Sequence, residues 1–157
     1  MPIHEILSRE RTLYGIPGGS KKRVLEYFSK FIAQQIPALD SEEVFSRLIA
    51  REKLGSTGIG EGVALPHCRI SHCKEAIGTF IRLRDKIDFD ALDGQPVDLI
   101  FLLLVPEDAN EAHLQTLAHL AETFAQEEVR KTLRKTDQPE QLFTLLTRSP
   151  GDQNPIA

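Results

Sequence analysis

The run VDLIFLLLVP, from Val97 to Pro106, constrains the fold more than any other stretch of this sequence. Apolar residues occupy both odd and even positions of the run, whereas a strand with one solvated face alternates apolar and polar residues. A strand that is apolar on both faces has to be covered on both faces, as in the sheets of α/β proteins. The run therefore predicts a buried central strand with other elements packed above and below it.

Helical patterns lie on both sides of this run in the sequence. Apolar residues recur at helical spacing after Ser20, a candidate N-cap. Asp40 and Glu43 fit a capping box for a second helix, which Gly55 should end. Three further helical patterns follow the run, at Leu117 to Phe124, Val129 to Leu133 and Pro139 to Leu146.

The order of these elements decides the fold class. Ala76 to Leu83 reads as a strand, and an Asp93-Gly94 turn leads from it into the central run. Strict alternation of strands and helices is missing, and 157 residues suit one domain. We therefore predict a single α/β domain over residues 1–148, with a mixed β-sheet flanked by α-helices, and a disordered tail at 149–157.

Composition and charge argue against several functions. The formal net charge is -4 with both signs mixed along the chain, so there is no basic stripe of the kind that nucleic-acid binding needs. The longest apolar run, Leu99 to Val105, is far too short to cross a bilayer, which argues against membrane insertion. Two neighbouring cysteines are not a disulfide scaffold, and no apolar leader pattern opens the chain, so a cytoplasmic protein is expected.

Both cysteines fall in the stretch VALPHCRISHCKE, which permits several interpretations. Its two His-Cys pairs are His67-Cys68 and His72-Cys73. They supply four zinc ligands by count, but HC-x3-HC is not a standard zinc spacing and no second pair closes a site. A Cys68 nucleophile activated by His67 fails in an extended segment, since consecutive side chains point to opposite faces. His113 stays open as a distant base for Cys68, so a zinc- or thiol-dependent protein is the remote alternative.

The glycine-rich segments do not match nucleotide-binding motifs. GIGEG at 58–62 lacks the GxGxxG spacing, and LPH follows where a nucleotide-binding helix should begin. GIPGGSKK is not a P-loop, because Ser20 separates Gly19 from Lys21. The four glycines within residues 55–62 predict a segment without regular structure.

Three histidines differ in their predicted surroundings. At about 100° per residue, His113 falls on the apolar stripe near the start of its helix, and His119 points away from that stripe into solvent. A histidine on an apolar face is more often a satisfied core residue, although free N–H groups at a helix start would suit a phosphate. His67 follows Pro66 and a glycine-rich loop, which could hold its imidazole in one orientation. The residues alone leave His67 open as a working or an incidental histidine.

A longer motif adds a family resemblance. STGIGEGVALPH, with REKLG before it, QPVDLIFLLLVP after it and EAHLQTL further on, resembles the fructose/mannitol-type IIA domain of the bacterial phosphoenolpyruvate-dependent phosphotransferase system. The resemblance extends from Leu7 to Leu146. The opening segment SRERTLYGIPGGSKKRVLEYFSKFIA is similar to the nitrogen-regulatory branch rather than to a fructose transporter domain.

The resemblance implies a phosphotransferase component that works through a phosphohistidine without metal or other cofactor. His67, in LPH, would receive a phosphoryl group from the phosphohistidine of an HPr-like carrier, NPr. His113, in HLxxL, would be the second active-site histidine, and Arg51, in REKLG, an arginine beside the site. The implied partners are the carrier and regulatory targets such as potassium transporters or sensor kinases, whose binding depends on the phosphorylation state.

Two points stay open at the level of the sequence. Cys68 stands where many members of this family have glycine or alanine, which leaves the surroundings of the acceptor less defined than the acceptor itself. The alternative function is the IIA component of a fructose-type sugar uptake system, which would pass its phosphoryl group to a separate IIB protein.

Overall fold

In the computed structural model, which describes residues 2–148, every residue of the run Val97–Pro106 is buried within one strand. The strands, in chain order, are β1 (Leu7–Ile16), β2 (Gly58–Gly60), β3 (Val63–Ala64), β4 (His67–Ile70), β5 (Ile77–Ile87) and β6 (Val97–Pro106). The helices are α1 (Ile3–Ile6), α2 (Lys21–Gln35), α3 (Ser41–Lys53), α4 (Glu111–Ala125), α5 (Glu127–Lys135) and α6 (Pro139–Thr147). The predicted α/β class is confirmed, whereas the predicted tail at 149–157 lies outside the described residues.

The strands form one mixed sheet around β6. Its order is β1-β5-β6-β3-β2, and β4 also pairs with β6. β5 runs antiparallel to β6, whereas β3 and β4 both run parallel to it. β3 pairs with β6 at Leu99 and Ile100, and β4 pairs with it further along, from Leu103 to Pro106. The central position predicted for this strand is confirmed.

Two apolar cores cover the two faces of β6. One core contains its even-numbered residues from Ile100 to Leu104 together with the buried sides of α2 and α3. The other contains its odd-numbered residues from Leu99 to Val105 together with apolar side chains of α4, α5 and α6. Burial contributes roughly 25 cal/mol per Å² of apolar surface, so both faces of this strand stabilise the fold. The result is a helix–sheet–helix sandwich.

The predicted helix boundaries around α2 and α3 are confirmed. The Ser20 hydroxyl accepts the Arg23 N–H at 3.1 Å, and the Asp40 carboxylate accepts the Glu43 N–H at 3.2 Å. α3 ends two residues before Gly55, whose φ is +148°. Within residues 2–148, no helix combines the length and the apolar character that crossing a bilayer requires.

The prediction of no regular structure in the glycine-rich segment is wrong at β2. Gly58 pairs with Ala64, and Gly60 pairs with Val63. The segment folds back on β3, and its backbone ladder outweighs the low strand propensity of glycine. The short helix α1 carries too few residues for a periodic pattern, and the sequence did not predict it.

The second half of the glycine-rich segment is held by a buried ion pair. Arg134, on α5, contacts the Asp98 carboxylate at 2.9 Å and donates to the Glu61 carbonyl at 2.8 Å. The Gly62 carbonyl accepts the Asp98 N–H at 3.0 Å. Helix α5, strand β6 and the glycine-rich segment are thereby joined at one point.

We expect Gly62→Ala to destabilise the fold more than Gly94→Ala. Both glycines have positive φ, +79° and +71°, so alanine is strained at either position. A Cβ at Gly62 would lie 2.3 Å from Arg134 Nη2 and 3.1 Å from Asp98 Oδ1, whereas nothing lies within 4 Å of a Cβ at Gly94. Displacing the buried pair should cost a further 1–3 kcal/mol, roughly the penalty for a buried polar group without its partner.

Urea unfolding of both variants measures this difference directly. Gly94→Ala is the matched control for backbone strain. Equal losses of unfolding free energy in the two variants would contradict the steric role assigned to Gly62.

Candidate functional site

A cleft of about 510 Å³ lies beside β4, between the end of α3 and the start of α4. The polar side chains lining it include Arg47, Arg51, His67, Asn110 and His113. Within the described sheet β4 pairs only with β6, so its other edge is available to the cleft. The structure thus brings together the three residues singled out from the sequence, which are far apart along the chain.

The imidazole of His67 is held in one orientation by the backbone. Its Nδ1 lies 2.8 Å from the Leu65 carbonyl oxygen, two residues earlier. Because a carbonyl oxygen only accepts hydrogen bonds, Nδ1 must carry the hydrogen. The neutral ring then has its lone pair on Nε2, which is the arrangement that a nucleophilic imidazole requires.

The surroundings of His67 favour the neutral ring. Burial lowers the pKa of His67 below its ordinary value of 6.5, and the positive charge of Arg51 lowers it further. The hydrogen bond to Leu65 and the carboxylate of Glu52 act in the opposite direction, but the net pKa shift is downward. At neutral pH, His67 therefore carries a lone pair rather than a positive charge.

Arg51 is positioned by the end of its own helix. It lies in the last turn of α3, as predicted, and its Nη1 donates to the Gly55 carbonyl at 2.9 Å. This bond uses one of the five N–H groups of the guanidinium. The remaining donors and the fixed positive charge are available to an anion in the cleft.

His113 faces the cleft instead of being a fully buried core residue. It lies in the first turn of α4 and its side chain is half-buried. Its Nδ1 is buried, and no hydrogen-bond partner for it exists among the described residues. Nε2 is the other polar atom of this ring, and a neutral imidazole with its hydrogen on Nε2 can donate to a group in the cleft.

His119 lies further along the same helix and does not line the cleft. It was predicted to point into solvent, and its side chain is partly exposed. It therefore provides a useful comparison for the two cleft histidines.

The strand register explains why Cys68 does not pair with His67. His67 is opposite Leu103 and Cys68 is opposite Leu104, and these two residues of β6 face different cores. Burial raises the pKa of the Cys68 thiol to about 12, so the thiol stays protonated at neutral pH. Sequence analysis had rejected a pairing of His67 with Cys68, and the two side chains do point to different faces of the sheet. Cys68 also lacks the thiolate that a nucleophile needs.

The positions of the two His-Cys pairs also argue against a zinc site. His67 and Cys68 diverge across the sheet, and His72 lies in an exposed turn with φ of +59°. Among residues 2–148, no three His, Cys, Asp or Glu side chains come together in a way that could hold a metal ion.

Two further arginines line the cleft and were not identified from the sequence. Arg47 contacts the carboxylates of Glu43 and Glu107 at 3.1 and 2.8 Å. Arg69 donates to the Ala109 carbonyl at 3.1 Å. The spacing carried a signal for both, because Arg47 precedes Arg51 by one helical turn and Arg69 follows His67 by two strand positions.

The opening of the cleft is apolar. Leu54 and Leu114, which both line it, are 84% and 65% exposed. They belong to the helix ends that carry Arg51 and His113. Large exposed leucines beside a polar pocket are typical of a surface that contacts another protein.

Comparisons with known proteins show which proteins this chain is similar to. The family model described as phosphoenolpyruvate-dependent sugar phosphotransferase system, EIIA 2, matches residues 5–149. The chain is 47% identical over 144 residues to the nitrogen regulatory protein of Pseudomonas aeruginosa, which is 92% of this chain and 94% of that protein. Nitrogen regulatory protein IIA-Ntr from Neisseria meningitidis has a TM-score of 0.87 at 45% identity, covering 92% of this chain and 99% of that one. IIA mannitol from Escherichia coli, at a TM-score of 0.71, 19% identity and coverages of 87% and 96%, shows the fold alone.

We expect an NMR titration of the His67 ring to give a midpoint below 6.5, the ordinary value. Arg51→Met should move this midpoint upward, because it removes a positive charge that disfavours the imidazolium. The same downward pKa shift makes the stability of the protein depend on pH. The folded state binds fewer protons at His67 than the unfolded chain does, so His67 lowers the free energy of unfolding as the pH falls below 6.5. A wild-type midpoint above 6.5 would contradict the electrostatic description of the site.

Proposed function

Since the chain belongs to the EIIA 2 family of the phosphoenolpyruvate-dependent sugar phosphotransferase system, we propose that His67 accepts a phosphoryl group on Nε2. The observation that carries this proposal is the 2.8 Å hydrogen bond between His67 Nδ1 and the Leu65 carbonyl. It fixes the hydrogen on Nδ1 and leaves the Nε2 lone pair for attack. The donor would be the phosphohistidine of an HPr-like carrier, NPr.

The proposed transfer exchanges one nitrogen–phosphorus bond for another. Nε2 of His67 attacks the phosphorus while the bond to the carrier's ring nitrogen breaks, and that nitrogen keeps the electron pair of the broken bond. The hydrogen of His67 stays on Nδ1 throughout, where the Leu65 carbonyl accepts it. The positive charge that develops on the His67 ring is stabilised by this carbonyl, so no separate base is required.

Arg51 and His113 would stabilise the transferred group. Phosphoryl transfer spreads negative charge over three equatorial oxygens, and catalysis depends on donors and charge placed around them. Arg51 supplies a fixed cation, and His113 supplies a donor from Nε2. The cleft also lies beside the N-terminal end of α4, where the helix dipole favours an anion. The proposal needs no metal ion and no nucleotide.

The surface around the site supports a regulatory use of this chemistry. Relatives of this chain carry the name nitrogen regulatory protein. A phosphoryl group adds about 1.5 to 2 negative charges at neutral pH, here beside the exposed Leu54 and Leu114. A partner that covers these leucines would have to desolvate that charge. We propose that the protein is cytoplasmic and that phosphorylation thereby selects among its regulatory partners, for which the family resemblance suggests potassium transporters and sensor kinases.

The first test is the intact mass of the protein after incubation with phosphoenolpyruvate, the first enzyme of the system and the carrier. We expect a single acid-labile phosphate on the wild type and none on His67→Ala. His119→Ala is the matched control, because this histidine is on the same domain but outside the cleft. A fully phosphorylated His67→Ala protein would refute the assignment of the acceptor.

The roles of Arg51 and His113 can be separated from that of the acceptor. Arg51→Met and His113→Ala should still be phosphorylated at His67, but about 100-fold more slowly, as expected for loss of one donor to a developing anion. Rapid-quench phosphorylation with a fixed carrier concentration gives this rate, and circular dichroism checks the fold. Wild-type rates in both folded variants would remove these residues from the site.

A separate experiment distinguishes the regulatory function from sugar transport. If the function is regulatory, the phosphorylated protein should pass little phosphate to candidate IIB proteins. Pull-downs should also recover different partners for the two phosphorylation states. His67→Gln serves as a non-phosphorylatable bait of similar size. Rapid and complete transfer to one IIB protein would favour the fructose-type uptake function instead.

A further inference from the structure

The buried carboxylate of Glu52 takes no direct part in the proposed transfer. It follows Arg51 in the chain but points into the protein, with only 4% of its side chain exposed. A buried carboxylate is costly unless cations and hydrogen-bond donors surround it. Lys21 of α2 supplies the cation, with its Nζ 2.8 Å from Glu52 Oε1.

The remaining partners of this carboxylate come from one residue of the glycine-rich segment. The Thr57 backbone N–H donates to Glu52 Oε1 at 3.1 Å, and the Thr57 hydroxyl donates to Oε2 at 2.5 Å. Two donors from one residue on two oxygens of one carboxylate fix the orientation of Thr57 as well as its position.

Hydrogen bonds continue from Thr57 to the proposed acceptor histidine. The Thr57 carbonyl accepts the Leu65 N–H at 3.0 Å. The Leu65 carbonyl in turn accepts the hydrogen of His67 Nδ1 at 2.8 Å. Leu65 and Pro66 lie between β3 and β4, and Leu65 belongs to none of the ladder pairs of these strands. The Leu65 N–H is therefore held by Thr57 and not by a partner in the strand ladder.

From this chain of bonds we infer that Glu52 is a positioning residue for His67. It acts through Thr57 and Leu65 to aim the carbonyl that selects the Nδ1–H tautomer of His67. This inference deepens the proposed function, because the tautomer matters for catalysis only if His67 accepts a phosphoryl group. The geometric link itself does not depend on phosphoryl transfer.

Lys21 offsets the negative charge of the Glu52 carboxylate. A free carboxylate near His67 would favour the imidazolium, which cannot act as a nucleophile. Lys21 pairs with Glu52 and is itself anchored, with its Nζ 4.7 Å from the centre of the Phe89 ring. Ser56 adds a second attachment, since its hydroxyl donates to the Phe89 carbonyl at 2.6 Å and accepts the Gly58 N–H at 3.0 Å. The Ser-Thr pair before the glycines thus ties the segment to two buried groups.

The test reads the tautomer of His67 directly. Long-range proton–nitrogen NMR correlations on protein labelled with ¹⁵N at histidine distinguish a hydrogen on Nδ1 from one on Nε2. The wild type should show the Nδ1–H form at a pH where the ring is neutral. In Glu52→Gln, one accepting oxygen becomes an amide nitrogen, so we expect the Nε2–H form to appear. Thr57→Val, which removes only the hydroxyl at similar volume, should shift the tautomer in the same direction by less.

Asp98→Asn is the matched control. Asp98 is also a buried carboxylate paired with a cation, and its partner Arg134 contacts the same glycine-rich segment at Glu61. It has no bond to Thr57 or Leu65 among the contacts of the described residues. We expect Asp98→Asn to lower the melting temperature and leave the His67 tautomer unchanged. If it shifts the tautomer as much as Glu52→Gln does, general loosening of the segment explains the effect and the inference falls.

The inference is also overturned if Glu52→Gln and Thr57→Val both fold and both keep the wild-type tautomer of His67. Phosphorylation rates provide the second readout, with a loss of about tenfold expected in Glu52→Gln, as for loss of a partner that orients a working histidine. The two proposals can fail separately. A wild type that accepts no phosphate from the carrier defeats the proposed function, whereas the tautomer measurement needs no phosphoryl donor.

Discussion

The structure depends on burying β6 on both faces. Its even-numbered residues enter the core beneath α2 and α3, and its odd-numbered residues enter the core beneath α4, α5 and α6. This single requirement places helices on both sides of the sheet. It also puts the end of α3 and the start of α4 on opposite sides of β4, the neighbour of β6, so a cleft at that edge receives residues from both layers.

The site combines rigid attachment with a balance of charges. One end of the glycine-rich segment is attached to Glu52 and Lys21, and the other to Asp98 and Arg134. Each of the two carboxylates is buried and paired with a cation, so neither leaves a charge without a partner near the cleft. Arg51, by contrast, keeps most of its donors for the cleft. The backbone therefore fixes the orientation of His67, and burial and Arg51 favour its neutral form. In the proposed function, the phosphoryl group is the part that moves.

Much of this fold could be predicted from local patterns. The two N-caps, the turn before β6 and the helical periodicity after Pro106 involve residues that are close in the chain, so their physics is visible in the sequence. The proposed role of His67 needed more, because the residues alone left both a working and an incidental histidine open. Family resemblance supplied the motif, and the Leu65 carbonyl supplied the physical reason for the orientation of the ring. The short ladder of β2 could not be predicted, since its stability comes from pairing and not from glycine.

By itself, the sequence determined a mixed α/β domain with a doubly buried strand, because burial patterns and caps are encoded residue by residue. It also separated His67 from Cys68, because neighbouring side chains in a strand point to opposite faces. Only the tertiary structure decided that Arg51, His67 and His113 line one cleft, and that Glu52 connects Lys21 to Thr57. These contacts join residues from different elements, and their geometry is fixed by how the helices pack on the sheet, which no local pattern specifies.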